Sequence, residues 1–168
     1  MEKKRIEDNA YDLIREHASD ILAHPTFRNL VRNKQHHNSN TYAHLLHVCV
    51  LAIKFARAWR WKVDAKVLVR SALLHDYYLY EWHDKPNRKK RHARRHGVYA
   101  ADNAERDFGI GPEERKAIVN HMWPINPFRP PQTKEGWLVL FADKAASFRE
   151  LFGILSAEDH YKKTPVKK

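Results

Sequence analysis

The sequence predicts an all-α protein, a single helical bundle of about six or seven helices. Three observations predict it. Only five of the 168 residues are glycine. No stretch alternates apolar and polar residues as a half-buried strand does. Apolar residues recur instead at i, i+3, i+4 and i+7 along most of the chain. The chain is long enough to bury a core without disulfides or a structural metal as staples.

A first helix is predicted over Ile6–Ala23, with Tyr11, Ile14, Ala18, Ile21 and Leu22 on one face, and Pro25 ends it. Phe27, Leu30 and Val31 suggest a short second helix. Gln35-His36-His37-Asn38-Ser39-Asn40 is a polar loop, and Ser39 or Asn40 is placed to cap the helix after it. That helix runs over Thr41–Arg60. Leu45, Val48, Cys49, Ala52, Phe55, Ala56 and Trp59 form its main stripe. Leu46, Val50 and Ile53 lie opposite, so most of its circumference should be buried.

Asp64 is placed to cap a helix through Leu68, Ser71, Ala72, His75 and Leu79. Another helix spans His96–Asp107, stopped by Gly109 and Gly111. Pro112 opens the next, with Glu113 and Glu114 in a first turn where the helix dipole favours anions. That helix carries Ile118 and His121 and stops at Pro124. The segment Pro124–Pro131 holds four of the eight prolines and reads as an extended connection. A last helix over Lys134–Leu155 carries Trp137, Leu138, Phe141, Ala145, Phe148 and Phe152. The expected organisation is one structural domain: N-terminal helices over 1–40 packing on a core domain over 41–155, then a basic tail over 156–168.

The formal charge is +11. Six of the positive charges are Arg88, Lys89, Lys90, Arg91, Arg94 and Arg95, with no acid among them. Lys162, Lys163, Lys167 and Lys168 in the tail supply four more, and without both groups the domain is close to neutral. Such a run either keeps a loop solvated or attracts phosphates, on a small substrate or on nucleic acid. The single cysteine, Cys49, excludes an intrachain disulfide and a Cys-based zinc site. No run of about 18 apolar residues exists, so no membrane span is expected. Met1-Glu2-Lys3-Lys4-Arg5 has no apolar stretch behind it, unlike a signal peptide, and the cytoplasm is the expected location.

Twelve histidines need an account. A lone histidine in an apolar helical pattern is more often a hydrogen-bonded core residue than a ligand. Several on different helices, accompanied by aspartate, read differently, because bundles build metal sites from facing helices. At about 100° per residue, His44 lies nearer the apolar stripe than His47 does. His44 therefore points inward, and His47 points toward solvent or a neighbouring loop. His75-Asp76 ends the apolar run Ser71–Leu74, and Tyr77, Tyr78 and Tyr80 come after it. A carboxylate buried there must be paired or bound to a metal. Asp143 repeats the pattern within Phe141-Ala142-Asp143-Lys144-Ala145-Ala146, where Lys144 is an ordinary ion-pair partner. His96 opens one helix and His121 closes another; each taken alone reads equally well as a surface residue. Tyr77, Tyr78, Tyr80, Trp82 and Trp123 read first as core packing and second as a platform for a nucleobase.

The order His44, Leu74-His75-Asp76, His96-Gly97, His121, Ala142-Asp143-Lys144 resembles the HD-domain superfamily of metal-dependent phosphohydrolases. Thr41-Tyr42-Ala43-His44, the stretch Ala72–Lys85, His121-Met122-Trp123-Pro124 and Ala142-Asp143-Lys144 are similar to a bacterial subgroup of small stand-alone HD proteins. The likeness runs from Tyr42 to Glu150. It implies an HD-type helical bundle in which His44, His75, Asp76 and Asp143 hold one divalent metal. It implies His96 and His121 as ligands of a second metal, with Asp76 bridging. His92, four residues before His96, is the alternative; Gly97 and the small residues after it favour His96. Catalytic roles would fall to Asp76 and His75, with Lys144 and His83. His83 and Asp84 read as ligand support, as a general acid, or as a plain surface loop. Substrate contacts would fall to Arg91, Arg94, Arg95, Lys144 and Trp123.

Imidazole and carboxylate without thiolate suit Mn, Fe, Co, Ni, Zn or Mg, one or two ions per chain. The implied reaction is hydrolysis of a phosphate ester, monoester or diester, by metal-activated hydroxide. The implied substrate is a small phosphorylated metabolite, a nucleotide foremost. The alternative is a basic nucleic-acid-binding protein with a structural or vestigial metal site, although no helix-turn-helix or zinc-finger pattern supports it.

Overall fold

The computed structural model describes residues 2–33, 40–80 and 92–152. They form α1 (Glu2–Ala23), α2 (Pro25–Asn29), a 3-10 turn (Leu30–Arg32), α3 (Thr41–Ala58), α4 (Ala65–Leu74), α5 (His92–Phe108), α6 (Pro112–Asn120) and α7 (Lys134–Leu151). Among the described residues there is no strand, in keeping with the scarcity of alternating patterns. No described helix is long and apolar enough to cross a membrane.

The bundle is organised around α3, in which every residue from Thr41 to Ile53 is buried. Its two apolar faces require partners on both sides. They find them in α4 and α7, while α1 closes over α3 and α4, and α6 packs between α4, α5 and α7. Side chains fix three helix starts. Asn40 Oδ1 accepts from the Ala43 N–H at 3.0 Å, Asp64 Oδ1 from the Val67 N–H at 3.0 Å, and Thr133 Oγ1 from the Gly136 N–H at 3.1 Å. Each cap satisfies a backbone donor that the helix cannot, worth about 1 kcal/mol.

Several boundaries differ from the sequence expectation. Helix α4 stops at Leu74, well short of Leu79. His75 and Asp76 form a turn, the Tyr77 N–H closes on the Leu74 carbonyl at 3.1 Å, and Leu79 takes φ +56°, a value no right-handed helix contains. Helix α5 begins at His92, so His96 sits in its second turn and not at its start. Helix α1 begins at Glu2 and breaks at Ala18 (φ −143°). Helix α3 ends at Ala58, before Arg60 takes φ 54°. Residues 121–128 make turns and not an extended stretch. The last helix ends at Leu151. Phe141, Phe148 and Phe152, three of the apolar residues expected on it, are exposed by 40%, 61% and 61% and lie outside the core. Residues 35–39 of the polar loop, Trp82, His83, Asp84, Arg88–Arg91 and the tail 156–168 lie outside the described residues.

A buried cation ties four elements together. Arg70 interrupts the apolar run of α4 and is itself buried. Its Nη1 donates to both Asp20 oxygens at 2.9 and 2.8 Å, its Nε lies 3.1 Å from Glu114 Oε1, and its Nη2 donates to the Phe108 carbonyl at 3.1 Å. One guanidinium thereby joins α1, α4, the end of α5 and α6, with an acceptor oxygen facing each of its three nitrogens.

Helices α5 and α6 meet at Gly97. A Cβ there would lie 2.9 Å from the Ile118 carbonyl oxygen and 3.2 Å from that of Val119. Both obstacles are backbone, so they cannot rotate away. Gly97→Ala is expected to force α5 off α6 and lower stability by about 1–3 kcal/mol, read as a lower urea midpoint at unchanged m-value.

Candidate metal centre

Two helices end at the same place. His75 caps the C-terminus of α4 and His121 that of α6. A helix end leaves carbonyls without intrahelical partners. Each histidine takes one of them: His75 Nδ1 faces the Ala72 carbonyl at 2.9 Å and His121 Nδ1 the Ile118 carbonyl at 2.6 Å. A ring nitrogen facing a carbonyl must donate, so Nδ1 of each ring carries a proton. The Nε2 lone pair of each ring is thereby aimed inward. His121 is held neutral, its pKa pushed down to about 3 by burial and by the neighbouring His75 and His96.

The remaining members come from three other helices: His44 from the first turn of α3, His96 from α5 and Asp143 from α7. Asp76, in the turn after α4, stands between the histidines. Its Oδ2 lies 3.8 Å from His75 Nε2, and its Oδ1 lies 3.2 Å from His96 Nε2 and 3.7 Å from His121 Nε2. The two carboxylate oxygens thus face different partners. Asp143 Oδ1 lies 3.4 Å from His44 Nε2 and 3.8 Å from His75 Nε2. Its Oδ2 accepts from Lys144 Nζ at 2.6 Å. His96 and His121 approach to 3.0 Å between Nε2 atoms. All six residues are buried.

Burial alone would raise both aspartate pKa values. The surrounding partners, through hydrogen bonds and electrostatic attraction, outweigh it, and both lie well below the usual carboxylate range. For Asp76 these are His75, His96 and His121; for Asp143 they are His44, His75 and Lys144.

The arrangement fits a metal ion. Three overlapping groups, His44–His75–Asp76, His75–His121–Asp143 and Asp76–His96–His121, each bring their ligand atoms within 4.8 Å of one another. Donors about 2.0–2.2 Å from a cation stand roughly 3.0–3.5 Å apart, close to the separations seen between these pairs. His75 supplies the most direct sign: its Nε2 is buried and has no hydrogen-bond partner, only carboxylate oxygens at 3.8 Å. A buried lone pair facing two carboxylates is a place for a cation.

A further residue stands behind His44. Glu150, buried on α7, lies 3.1 Å from His44 Nδ1 and 2.7 Å from His47 Nδ1. His47 is therefore buried against α7, contrary to the solvent-facing direction expected from its angle on α3. That angle loses its meaning on a helix surrounded on all sides. In the absence of metal, burial pulls the His44 pKa down, but hydrogen bonds to Asp143 and Glu150 outweigh this and raise it to about 10. Glu150 opposes its own burial through His44 and His47 and falls to about 2. Glu150 escaped the sequence reading, although its i+7 spacing from Asp143 puts both on one face of α7.

Lys144 pairs with Asp143 while its side chain remains 44% exposed. Trp123, two residues beyond His121, is half-buried with its ring 5.5 Å from that of Trp137. Arg94 and Arg95 are exposed immediately before His96. Tyr78 packs against His96 at 5.9 Å between ring centroids. Tyr77 serves the core, against Phe27 and Phe108, with its hydroxyl donating to Asp107 at 2.9 Å. His83 and Arg91 lie outside the described residues, and so does the side chain of His92. Between His92 and His96, His96 is the one seen at Asp76.

A helical bundle that buries four histidines and two aspartates from five segments, rings turned inward, has the build of a metal-centre protein. The HD domain family matches residues 41–147, and the chain belongs to it. Comparison with curated proteins and with solved structures gives no match. HD domains bind divalent metals, and the family is generally one of metal-dependent hydrolases.

The metal-free protein should have a stability maximum near neutral pH. His121 titrates at 6.5 unfolded and about 3 folded, so its contribution is lost as pH falls from 6.5 toward 3. Glu150 adds loss from 4.5 toward 2. His44, raised from 6.5 to about 10, contributes fully below 6.5 and loses that contribution as pH rises through 10. Thermal melts of chelated protein across pH should show both limbs; a flat profile between about pH 7 and 9.5 would contradict the His44 pairing.

Proposed function

We propose that the chain is a metal-dependent phosphohydrolase that cleaves phosphate esters of small metabolites in the cytoplasm, with nucleotides the foremost class. The observation carrying this reading is the inward-facing His75 Nε2, buried beside Asp76 and Asp143 without a hydrogen-bond donor, in a chain of the HD domain family. His44, His75, Asp76 and Asp143 would hold one divalent cation. Asp76, His96 and His121 would hold a second; Asp76 turns Oδ2 toward His75 and Oδ1 toward His96 and His121. A divalent cation bound there supplies Lewis acidity toward phosphoryl oxygens and brings the pKa of water to about 7.

The other assigned residues handle charge and orientation. Lys144 neutralises Asp143 and, being partly exposed, can also meet a phosphoryl oxygen. Arg94 and Arg95, with Arg91 of the same run, draw an anionic substrate toward the turn of α5 that carries His96. Trp123 is assigned to the nonpolar part of the substrate, where a flat ring suits a base. His83 is assigned to proton transfer to the leaving group. The single cysteine, Cys49, is buried and free, so nothing in the fold asks for an oxidising compartment.

The purified protein should carry, or take up, one or two divalent ions per chain by elemental analysis. It should hydrolyse members of a phosphomonoester and phosphodiester panel with Mn, Co, Ni or Mg. Asp76→Ala should lose the metal and at least about 10²-fold in rate, as expected when a metal ligand is removed. A protein that binds no metal, and in which Asp76→Ala changes nothing, would sink this reading. Replacing Arg94 and Arg95 together by Ala should raise KM several-fold with little change in kcat, and the difference should shrink at high salt.

A further inference from the structure

Two layers of side chains cross between α3 and α7. The front layer is His44 and Asp143, in contact at 3.4 Å. The rear layer is His47 and Glu150, in contact at 2.7 Å. His47 comes three residues after His44 and Glu150 seven after Asp143, so each helix presents its pair along one face. Glu150 links the layers, with Oε1 3.2 Å and Oε2 3.1 Å from His44 Nδ1.

We propose that Glu150, steadied by His47, is a positioning residue that sets the tautomer and ring orientation of His44 for metal binding. This inference rests on the reading of the cluster as a metal site. The two helix-end histidines, His75 and His121, have their Nδ1 protons fixed by carbonyls of their own segment. His44 lies at a helix start, where its own segment has free N–H groups and no free carbonyl to offer. A carboxylate from α7 takes the place of that carbonyl. It obliges Nδ1 to carry a proton and turns Nε2, the nitrogen left for a metal, toward Asp143. A carboxylate acceptor also makes Nε2 more basic than a carbonyl would, which favours a metal ligand. His47 donates to Glu150 Oε1, leaving the carboxylate held from two sides. Glu150 is 2% exposed, and a carboxylate so buried would be a liability in a merely space-filling role.

The test uses the full chain, stripped by chelator, with Mn(II) and Co(II) affinities measured by calorimetry and the Co(II) absorption spectrum recorded. Glu150→Gln is expected to lower affinity about 10–100-fold with stoichiometry retained, and to alter the Co(II) bands. Glu150→Asp is expected to recover part of the loss. His47→Gln is expected to lower affinity by a smaller factor. Ile14→Ala, a core change on α1, serves as the stability control: it should lower Tm without moving metal affinity. Circular dichroism identifies any variant that fails to fold, in which case His47→Gln carries the test. Wild-type protein that binds no metal overturns the functional reading itself. Wild-type binding, with Glu150→Gln and His47→Gln both within twofold of it, overturns the positioning role alone.

Discussion

The centre of this protein depends on where two helices stop. Helices α4 and α6 each end with a histidine whose Nδ1 is claimed by the carbonyl three residues earlier. That hydrogen bond satisfies an otherwise vacant acceptor and, in the same stroke, decides which ring nitrogen faces the interior. Had either helix continued one more turn, its carbonyl would be taken by a backbone N–H, and the ring would lose its proton anchor. The irregular backbone after Leu74, with Leu79 at positive φ, is therefore part of how the site is made. The close approach of α5 at Gly97 adds the third wall, bringing His96 to within 3.0 Å of His121.

Around that frame the charges are arranged so that each is answered. Three buried carboxylates, Asp76, Asp143 and Glu150, share a cluster with five buried histidines and the partly exposed Lys144. A low-dielectric interior makes an unanswered charge expensive, and none of these acids is left so. Protons on histidine can do the answering without metal, most plainly at His44 between Asp143 and Glu150. A divalent cation would substitute for those protons. Arg70 obeys the same rule at a purely structural location, distant in role from the cluster and surrounded by its own acceptors.

Much of this was legible in the chain. His44, His75, Asp76 and Asp143 each fall within an apolar pattern, where a buried polar group demands a reason; His96 and His121 read alone as surface residues, and only the ordered resemblance to the HD family pointed to them. What escaped has physical causes. The apolar pattern runs on past Leu74 because Tyr77 and Tyr78 are buried in a non-helical conformation, so periodicity overshot the end of α4. The start of α5 was hidden because the solvent-facing Arg94 and Arg95 resemble a loop. Angular arithmetic failed for His47 because it presumes one core side, and α3 has a core on every side. Glu150 and Arg70 carry no local signal of burial in the sequence; only their partners, tens of residues away, make them interior groups. Periodicity reports burial against an average neighbour, not against a particular one.

The contact between His44 and Glu150 spans 106 residues of chain. Closing so long a loop costs entropy that local helix formation does not incur. The helix-end hydrogen bonds of His75 and His121, by contrast, span only three residues each and can form with the helix itself. His75 and His121 can thus be oriented by local structure alone, whereas His44 meets its Glu150 partner only once α7 is docked on α3. A metal held by this cluster would therefore favour the finished fold over the states that precede it.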